Sequence, residues 1–372
     1  MPSLFDPIKL ANLSVANRIM VSPMCQYSSH DGCASDWHLA HLGSLALSGA
    51  GLLCLEATGV TPEGRITPGC LGLWNDQTEA ALKPVIEMIR NVSPIKVAIQ
   101  LGHAGRKASS AVPWAGGHML EAAEGGWQTL APSALPQREG ETAPRAMTDA
   151  DMANVLAGFV QAARRAVRLG IDAIELHGAH GYLLHQFLSP LANQRDDAYG
   201  GSLENRMRFP LEVFDAVKAV VPESFPVGMR VSATDWFDEA PSWTVDQTVV
   251  LAKELAQRGA SWIDVSSGGI TPLQKIDIKP GYQVDFAQAV KAAVDIPVMA
   301  VGLITEAQQA QDILDNGQAD MVALARAMLY NPHWPWHAAN TLQGTIHGPR
   351  QYWRSLPSGS HRIFGDTVFG QR

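Results

Sequence analysis

The stretch Gly170-Ile171-Asp172-Ala173-Ile174-Glu175-Leu176-His177-Gly178-Ala179-His180-Gly181-Tyr182 contains the unit from which this chain is built. Its first glycine is typical of the end of a helix, and the short apolar run that follows predicts a buried strand. Two imidazoles and one phenol then leave the strand end within six residues. Imidazoles can donate hydrogen bonds to a carbonyl or nitro oxygen, and a phenol can deliver a proton. The stretch therefore predicts a helix end, a strand and a functional loop in succession.

Short apolar runs of this kind recur along the chain. Each is rich in Val, Ile, Leu or Ala and too short for a typical helix, and stretches of helical period separate most of them. The eight runs are residues 18–24, 51–57, 96–102, 171–177, 226–231, 262–267, 296–301 and 320–325. Alternating strands and helices indicate parallel strands joined by crossover helices. Eight such units predict an α/β fold of the (β/α)8 TIM-barrel type, which typically takes about 250 residues.

The joints between the predicted elements fit this repeat. Gly170, Gly259 and Gly317 each stand between a helical stretch and a strand, which is the place of a C-cap glycine. Capping-box sequences predict helix starts, and they occur at Thr148-x-x-Asp151, Thr244-x-x-Gln247 and Thr305-x-x-Gln308. The repeated unit is therefore helix, glycine, strand and loop.

The length beyond a typical barrel falls in two places, and neither predicts a second globular domain. One is a Gly/Pro/Ala-rich insertion after the third strand, residues 104–146, and the other follows Tyr330. A doubly wound dinucleotide-binding sheet would instead need a glycine-rich phosphate loop after its first strand. The first strand here ends in Ser22-Pro23-Met24-Cys25-Gln26-Tyr27, without such a loop. We therefore predict a single-domain barrel with a long insertion.

Composition narrows the class of protein. Hydrophobic residues make up 46% of the 372 residues, so a large core can be buried. The net charge is 28 − 36 = −8 and no Lys/Arg-rich run occurs, which argues against nucleic acid or an anionic membrane as a partner. Residues 1–10 lack the apolar segment of a secretory signal, and no apolar run is long enough to span a bilayer. We predict a cytoplasmic protein.

The four cysteines are Cys25, Cys33, Cys54 and Cys70. None forms a C-x-x-C pair, so neither a zinc ribbon nor an iron–sulfur cluster is indicated. In a cytosolic protein the thiols are expected to stay reduced.

In a (β/α)8 barrel the site lies at the C-terminal ends of the strands. An arginine within an apolar strand, Arg230, needs a partner because a buried unpaired charge is very costly. Gly302 and Arg326 follow the seventh and eighth strands, where such barrels commonly bind phosphate. The other groups on this ring are Cys25, Tyr27, Gln100, His103, His177, His180 and Tyr182. The residues alone predict a phosphate-bearing cofactor beside an acid-catalytic pocket.

Structural alternatives stay open for several of these residues. Cys25 could be a small buried hydrophobe, and either histidine could be a satisfied structural residue. Arg230 could form a structural salt bridge, and Arg326 could be a solvated arginine at a helix start. The spacing of the residues does not identify the chemistry of the cofactor.

At these positions the chain resembles the Old Yellow Enzyme family of FMN-dependent ene-reductases. It is most similar to a bacterial branch with a cysteine beside the flavin, the branch of the xenobiotic reductases. The longest match is the stretch 187–195 running into 199–206, and shorter ones are residues 17–18, 23–27, 64–68, 103–107 and 177–182. The resemblance runs from about Leu4 to Arg354. It implies an FMN-binding barrel over residues 1–354 and a C-terminal tail over residues 355–372.

The resemblance also implies a role for each matching residue. The contacts to FMN would be Ser22, Pro23, Met24, Cys25, Ala57, Gln100, Arg230, Gly302, Ala325 and Arg326. His177 and His180, with help from Tyr27, would bind the substrate oxygen, and Tyr182 would donate a proton to Cα. NADPH would reduce FMN, which would pass hydride to Cβ of an α,β-unsaturated carbonyl or nitro compound. No metal is implied, and no Rossmann glycine fingerprint for NADPH occurs.

Two positions depart from the family pattern. Ala325 stands where family members usually carry glycine, so its contact with the phosphate is in question. Gln351-Tyr352-Trp353-Arg354 resembles a segment that enters the neighbouring subunit's site, although Trp353 is not the usual residue there. The resemblance thus implies a homodimer or homotetramer in which Arg354 reaches a neighbour's substrate.

Two other functions compete with this interpretation. A metal-dependent hydrolase on the same barrel would use His177 and His180 as ligands, with Glu56 or Glu175 as the nearby carboxylate. A non-catalytic flavin-binding sensor would keep the cofactor contacts but would not need Tyr182.

Overall fold

A barrel of parallel strands forms the centre of the molecule, for which the computed structural model describes residues 2–367. Over this range the strands are β1 (Ile8–Leu10), β2 (Leu13–Val15), β3 (Ile19–Val21), β4 (Leu52–Gly59), β5 (Lys96–Gly102), β6 (Leu130–Ala131), β7 (Arg145–Ala146), β8 (Ala173–Gly178), β9 (Val227–Ser232), β10 (Ile263–Ser266), β11 (Val298–Ala300) and β12 (Met321–Leu324). The α-helices are α1 (Asp36–Ala46), α2 (Asp76–Val92), α3 (Asp149–Arg168), α4 (Leu183–Leu188), α5 (Leu203–Lys218), α6 (Val245–Gln257), α7 (Val284–Lys291), α8 (Ala307–Asp315), α9 (Arg326–Tyr330) and α10 (Trp334–Thr341).

The barrel is closed and follows the order of the chain. Its strands run β3-β4-β5-β8-β9-β10-β11-β12, and β12 pairs in parallel with β3 to complete the ring. Each of the eight predicted apolar runs overlaps one of these strands, and β4, β8 and β9 continue one or two residues beyond their runs. The closed ring of eight parallel strands confirms the predicted (β/α)8 fold. The strands are mostly apolar because helices cover the outside and bury both faces.

The N-terminal end of the barrel is closed by the antiparallel pair β1 and β2. Leu10 and Val15 on this hairpin are fully buried in one cluster with the inward side chains of Met20, Leu52 and Met321. The apolar floor leaves the opposite end of the barrel for polar chemistry.

The joints follow the sequence pattern with one exception. Thr148 and Thr244 cap α3 and α6, and Gly170, Gly259 and Gly317 take φ values of 74°, 83° and 66° as C-cap glycines do. The capping box predicted at residues 305–308 is wrong, because α8 begins at Ala307 with Glu306 as its N-cap. The Gln309 side chain accepts the backbone N–H of residue 305 at 3.0 Å. Trp334 Nε1 donates to that residue's carbonyl at 2.6 Å, so the threonine lies outside the helix.

The predicted insertion also occurs. Between β5 and α3 the chain forms three short 3₁₀ turns and the strands β6 and β7, which pair with each other outside the barrel. These residues lie over the C-terminal ends of the barrel strands, where Arg106 donates to the carbonyl of Ile270 at 2.7 Å. Among residues 2–367, no helix is long and apolar enough to cross a membrane.

Candidate active site

Strand register brings three functional side chains to one level of the barrel. His177 on β8 lies opposite Arg230 on β9, and Arg230 lies opposite Asp264 on β10. Partner residues of parallel strands point to the same side of a sheet, so all three enter the barrel near its C-terminal end. The site predicted from the strand ends is thereby assembled.

One level deeper, a buried carboxyl holds an amide in place. Glu175 accepts hydrogen bonds from Gln100 Nε2 at 2.9 Å and from Trp262 Nε1 at 3.1 Å. The indole fits inside because Gly228 lies beside it, where a Cβ would come within 2.2 Å of the ring. Burial, helped by the negative charge of Asp264, raises the pKa of Glu175 to about 8, so this carboxyl carries a proton at neutral pH. Gln100 is thus fixed as an inward-facing amide.

Arg230 finds a partner inside the barrel. Its Nε lies 3.3 Å from Asp264 Oδ2, and one terminal nitrogen donates to Ser22 Oγ at 3.0 Å. Both charged groups are at least 94% shielded, since their relative exposures are 5% and 0%. Arg230 therefore does form the structural salt bridge that was the alternative interpretation. It also lines an open cavity. Its guanidinium can therefore serve a bound group as well as the carboxylate.

Serines on two neighbouring strands hold His180, and the His177 ring packs against it. The backbone N–H of His180 donates to Ser232 Oγ at 2.9 Å, and His180 Nε2 lies 2.7 Å from Ser266 Oγ. The His177 ring meets the His180 ring edge-on at 5.1 Å, and its buried Nδ1 has no hydrogen-bond partner within residues 2–367. Burial and the charge of Arg230 lower the pKa of both imidazoles, which keeps them neutral. A neutral imidazole has one N–H to donate.

The loop after β8 needs its glycines. His180 itself takes a left-handed φ of 58°, and Gly181 follows with a φ of 72°. A Cβ on Gly181 would come within 2.0 Å of the carbonyl oxygen of Gly269, and a Cβ on Gly269 would come within 2.4 Å of the His180 backbone. The two loops therefore touch backbone to backbone, and this contact presents His180 to the site.

Tyr182 stands beside the histidines as a neutral acid. Its ring packs edge-on against His177 at 4.9 Å, and Lys107 Nζ lies 5.0 Å from the ring centroid. Burial and the nearby Cys25 raise the pKa of the phenol well above its usual value. The hydroxyl therefore keeps its proton across the neutral range, as the use of a tyrosine acid requires.

The end of the first barrel strand supplies a thiol and a second phenol. Tyr27 takes a left-handed φ of 52°, and its ring meets Trp114 of the insertion edge-on at 5.8 Å. Burial raises the pKa of both the Tyr27 phenol and the Cys25 thiol, and a backbone hydrogen bond from Ala57 reaches that thiol. Cys25 is thus a neutral thiol at the rim, where β3 and β4 end.

A cavity of about 200 Å³ runs from the histidines to the predicted phosphate site. Its lining includes His180 and Arg230 as well as Gly302, Ala325 and Arg326. Gly302 takes a φ of 125°, and a Cβ there would come within 2.7 Å of Gln283 Nε2. Ala325 has a φ of −107° at the start of α9, a value that any residue can adopt. The methyl group at this departure from the family pattern therefore does not have to adopt a left-handed φ.

One predicted site residue lies away from this cluster. Arg354 belongs to the 3₁₀ segment Arg350–Ser355, in which Tyr352 packs against Trp336 at 6.0 Å. The segment that precedes these residues lies beside the N-terminal end of β4. There the carbonyl of His347 would be 2.9 Å from a Cβ on Gly49. The site occupies the opposite ends of the strands, so Arg354 does not line its own chain's pocket.

The carboxylates that a metal site would need are engaged elsewhere. Glu56 lies 3.3 Å from His38 Nε2 and accepts the backbone N–H of Gln26 at 3.0 Å. Strand β8 is regular to its end, so Glu175 does share a face with His177, but its oxygens accept from Gln100 and Trp262. In the part of the chain that the structure describes, no group of three or more His, Cys, Asp or Glu could hold a metal ion.

Three contributors to the site were not predicted as such. Asp264 partners Arg230, Ser266 holds His180, and Lys107 reaches the Tyr182 ring. A signal existed for Asp264, which is the charged residue in an otherwise apolar and small-residue run of β10. Lys107 had no such signal, because its position depends on how the insertion folds back.

With this geometry in place, the chain can be compared with known proteins. Residues 3–344 match the NADH:flavin oxidoreductase / NADH oxidase family. The chain belongs to this family. An NADH:flavin oxidoreductase of Gibberella zeae is 47% identical over 345 residues, 88% of this chain and 83% of that protein. The NADPH dehydrogenase of Geobacillus thermodenitrificans is 43% identical over 353 residues, 94% of this chain and 98% of that protein. The structure of morphinone reductase, 31% identical, matches with a TM-score of 0.76 over 94% of this chain and 91% of that one.

The resemblance to the Old Yellow Enzyme family is thereby confirmed. The protein is a flavin ene-reductase that uses FMN and a nicotinamide reductant. This activity sets aside both the metal-dependent hydrolase and the non-catalytic sensor.

The residues of this Old Yellow Enzyme fit FMN. Arg230 and Arg326 both line the 200 Å³ cavity, so Arg230 would serve the flavin ring system and Arg326 the phosphate. Gly302 keeps side-chain atoms out of the phosphate end, where the backbone already approaches Gln283 closely. The Gln100 amide lies one level below, with its nitrogen committed to Glu175 and its oxygen left for another donor.

Proposed function

We propose that this chain is an NADPH-dependent reductase of α,β-unsaturated carbonyl and nitro compounds. The observation that carries the proposal is the cluster of His177, His180 and Tyr182 beside a cavity lined by two cations. Reduced FMN supplies a hydride to Cβ of the alkene, and the protein supplies orientation, charge and a proton. The NADPH dehydrogenase relative supports NADPH as the reductant.

His177 and His180 bind the substrate oxygen in this proposal, with help from Tyr27. Both imidazoles are kept neutral by burial and by Arg230, so each offers an N–H to the oxygen as negative charge develops on it. Preorganisation supports the assignment, because Ser266 and the Gly181–Gly269 backbone contact fix His180 before any substrate arrives.

Tyr182 donates the proton to Cα. Its phenol carries that proton at neutral pH because burial raises the pKa. Its ring is fixed against His177, so the acid and the oxygen-binding group are held on one wall of the pocket.

The proposed FMN contacts fall into three groups. Arg230 and Gln100 would hold the pyrimidine edge of the flavin, and the guanidinium of Arg230 would stabilise negative charge there. Gly302, Ala325 and Arg326 hold the phosphate. The remaining contacts come from the ends of β3 and β4 and comprise Ser22, Pro23, Met24, Cys25 and Ala57, with the neutral Cys25 thiol against the ring.

A direct experiment tests this function. The purified protein should be yellow, absorb in the near-ultraviolet and blue, and bleach anaerobically when NADPH is added. Adding a cyclohexenone or a nitroalkene should then restore the colour. NADH in place of NADPH measures the preference between the two reductants. A colourless protein that cannot be reconstituted with FMN would overturn the proposal.

We also propose that Arg354 acts in a neighbouring subunit of a homodimer or homotetramer. The site of its own chain lies at the opposite end of the barrel, and the Arg354 side chain is exposed on the segment Arg350–Ser355.

We propose that residues 1–354 form the FMN-binding barrel and residues 355–372 an appended tail, of which 368–372 lie outside the described part. Ile363 of this tail is buried against Ile346. Free thiols at all four cysteines support a reducing, cytoplasmic location.

Arg354→Ala should raise KM for the alkene about tenfold, the value of one hydrogen bond to a charged group, and leave FMN content unchanged. Arg350→Ala, on the same exposed segment, is the matched control and should change neither. Mixing Arg354→Ala chains with Tyr182→Phe chains should restore activity, because one site of the mixed dimer then has both native residues. Unchanged KM, or no restoration in verified mixed dimers, contradicts the intersubunit role.

A further inference from the structure

Two neighbouring cations of the insertion, the buried Arg106 and the half-buried Lys107, have no carboxylate in contact among residues 2–367. Arg106 is 4% exposed and donates to neutral acceptors, namely Gln137 Oε1 and the carbonyls of Leu135, Pro136 and Ile270. Lys107 Nζ donates to the carbonyl oxygens of His180 at 2.8 Å and Gly269 at 3.2 Å. Neither side chain forms an ion pair within residues 2–367, in contrast to Arg230 with Asp264.

This arrangement leaves the positive charge without a contacting carboxylate, and only the more distant Asp235 and Glu141 offset part of the charge on Arg106. Burial lowers the pKa of Arg106 to about 10 and that of Lys107 to about 8, and Arg106 and Arg138 add repulsion at Lys107. Carbonyl dipoles satisfy the hydrogen bonds of such groups but do not neutralise their charge. A buried cation of this kind is costly unless an anion accompanies it.

Both cations line a cavity of about 270 Å³ between the insertion and the loop after β10. Arg138 and Glu141 also line it, so its charged groups sum to 3 − 1 = +2 in a chain whose net charge is −8. The Arg138 side chain is exposed and has no carboxylate partner among the described residues. The cavity is therefore a positive site on an acidic protein.

The cavity adjoins the pocket in which the reaction takes place. Tyr27 and Ile66 line it, and Ile66 also lines the small pocket beside His177 and Tyr182. Lys107 connects the two regions directly, since its ammonium contacts the His180 carbonyl and lies over the Tyr182 ring. A molecule reacting at the histidines can thus extend into the positive cavity.

An aromatic face stands at the rim of this cavity. Trp114 follows Pro113, which lines the cavity, and is 72% exposed although its edge packs against Tyr27. Leu273 lies on the facing loop and is 64% exposed. Exposed indoles offer a stacking surface for a base at low entropic cost.

We propose that this cavity binds the phosphate groups of the nicotinamide dinucleotide, with Trp114 as the stacking face for its adenine. The inference rests on the proposed function, because it places the nicotinamide at the flavin pocket. Phosphate oxygens accept charge-assisted hydrogen bonds from lysine and arginine, and they neutralise the charge on Arg106 and Lys107. The absence of a glycine-rich phosphate loop in the sequence is then explained, since the insertion takes over that task.

Arg138→Glu tests the site without touching the residues of the flavin pocket. We expect the Kd of the FMN-loaded enzyme for NADPH to rise at least about tenfold, which corresponds to 1.4 kcal/mol. The Kd is read from the flavin absorbance during titration with the unreactive tetrahydro analogue of NADPH, and from the saturation of bleaching by NADPH itself. Bleaching by 1-benzyl-1,4-dihydronicotinamide, which has neither phosphate nor adenine, should be unchanged. Trp114→Ala should weaken the binding of both NADPH and NADH and leave bleaching by the benzyl compound unchanged.

Arg164→Glu on the exposed face of α3 is the matched control, because it makes the same charge change away from the cavity. A parallel titration with NADH shows which phosphate the cavity binds. If Arg138→Glu weakens the binding of NADH and NADPH equally, the cavity binds the pyrophosphate. If it weakens the binding of NADPH alone, the cavity binds the 2′-phosphate. The proposal is overturned if Arg138→Glu leaves NADPH binding unchanged, or if it weakens the benzyl compound as much. It is also overturned if the variant affects only alkenes that carry a carboxylate. If no reductant bleaches the wild type, the proposed function itself fails.

Discussion

Replacing His177 and His180 together by alanine is expected to slow reduction of a cyclohexenone by at least about 10³-fold, because each preorganised donor to a developing oxyanion contributes about 10²–10³. Bleaching of the enzyme by NADPH should change far less. The nicotinamide has no carbonyl that gains charge in that step, whereas the alkene oxygen does. Stopped-flow absorbance of the flavin measures the two half-reactions separately.

The double variant also loses a structural hydrogen bond, and the experiment must separate this loss from the loss of oxygen binding. His180 Nε2 contacts Ser266 Oγ at 2.7 Å, so its loss leaves that serine with only its hydrogen bond to Gln283 Oε1 at 3.3 Å. Ser266→Ala is therefore the matched control and should retain most of the alkene half-reaction. FMN content and thermal unfolding of each variant show whether the barrel is intact. Equal losses in the two half-reactions of a folded, FMN-loaded double variant would argue against the oxygen-binding role.

Tyr182→Phe is expected to slow the alkene half-reaction by about 10²–10⁴-fold, the usual contribution of a general acid. The phenyl ring can keep the edge contact with His177 at 4.9 Å and the position under Lys107, so folding and FMN binding should not change. In the wild type, only the neutral phenol can donate. Because burial raises the pKa of Tyr182, the rate should stay flat as pH rises through the ordinary range of a phenol instead of falling near about 10.

Tyr27→Phe provides the comparison for this prediction. Tyr27 is proposed to help bind the substrate oxygen, so its loss should raise KM for the alkene without removing the proton donor. For Tyr182→Phe, the loss should fall on kcat, and the product formed in D₂O should show whether deuterium still arrives at Cα from the same face. A rate that Tyr182→Phe leaves unchanged would remove this residue from the mechanism.

The barrel could be predicted from the sequence because its signals are local. Eight apolar runs, three C-cap glycines and two N-cap threonines, of which Thr148 forms the complete capping box, are patterns of neighbouring residues. The predicted cap at residues 305–308 is wrong because a tertiary contact prevails there: Trp334, from the end of the chain, holds the carbonyl that the helix would need. Local propensity does not include such a partner.

The candidate site could be predicted in part. The order of the strands places Arg230, Arg326 and the His177 to Tyr182 stretch on one rim as soon as the barrel is assumed. Their partners could not be found in this way. Asp264, Ser266 and Trp262 reach Arg230, His180 and Glu175 through the register between strands, and register depends on the closure of the whole sheet.

By itself, the sequence determined the fold class, the ends of most elements, the rim on which the polar residues lie and the family resemblance. Each of these depends on residue identity and spacing along one chain. Tertiary structure alone decided the charge states and the pairings. Burial and contacts between residues far apart in sequence keep the imidazoles neutral, keep Glu175 protonated and pair Arg230 with a carboxylate. They also place Arg106 and Lys107 against carbonyl oxygens, with no ion pair among residues 2–367. Charge depends on the surrounding dielectric and on nearby charges, and these exist only once the barrel has closed and the insertion has folded over it.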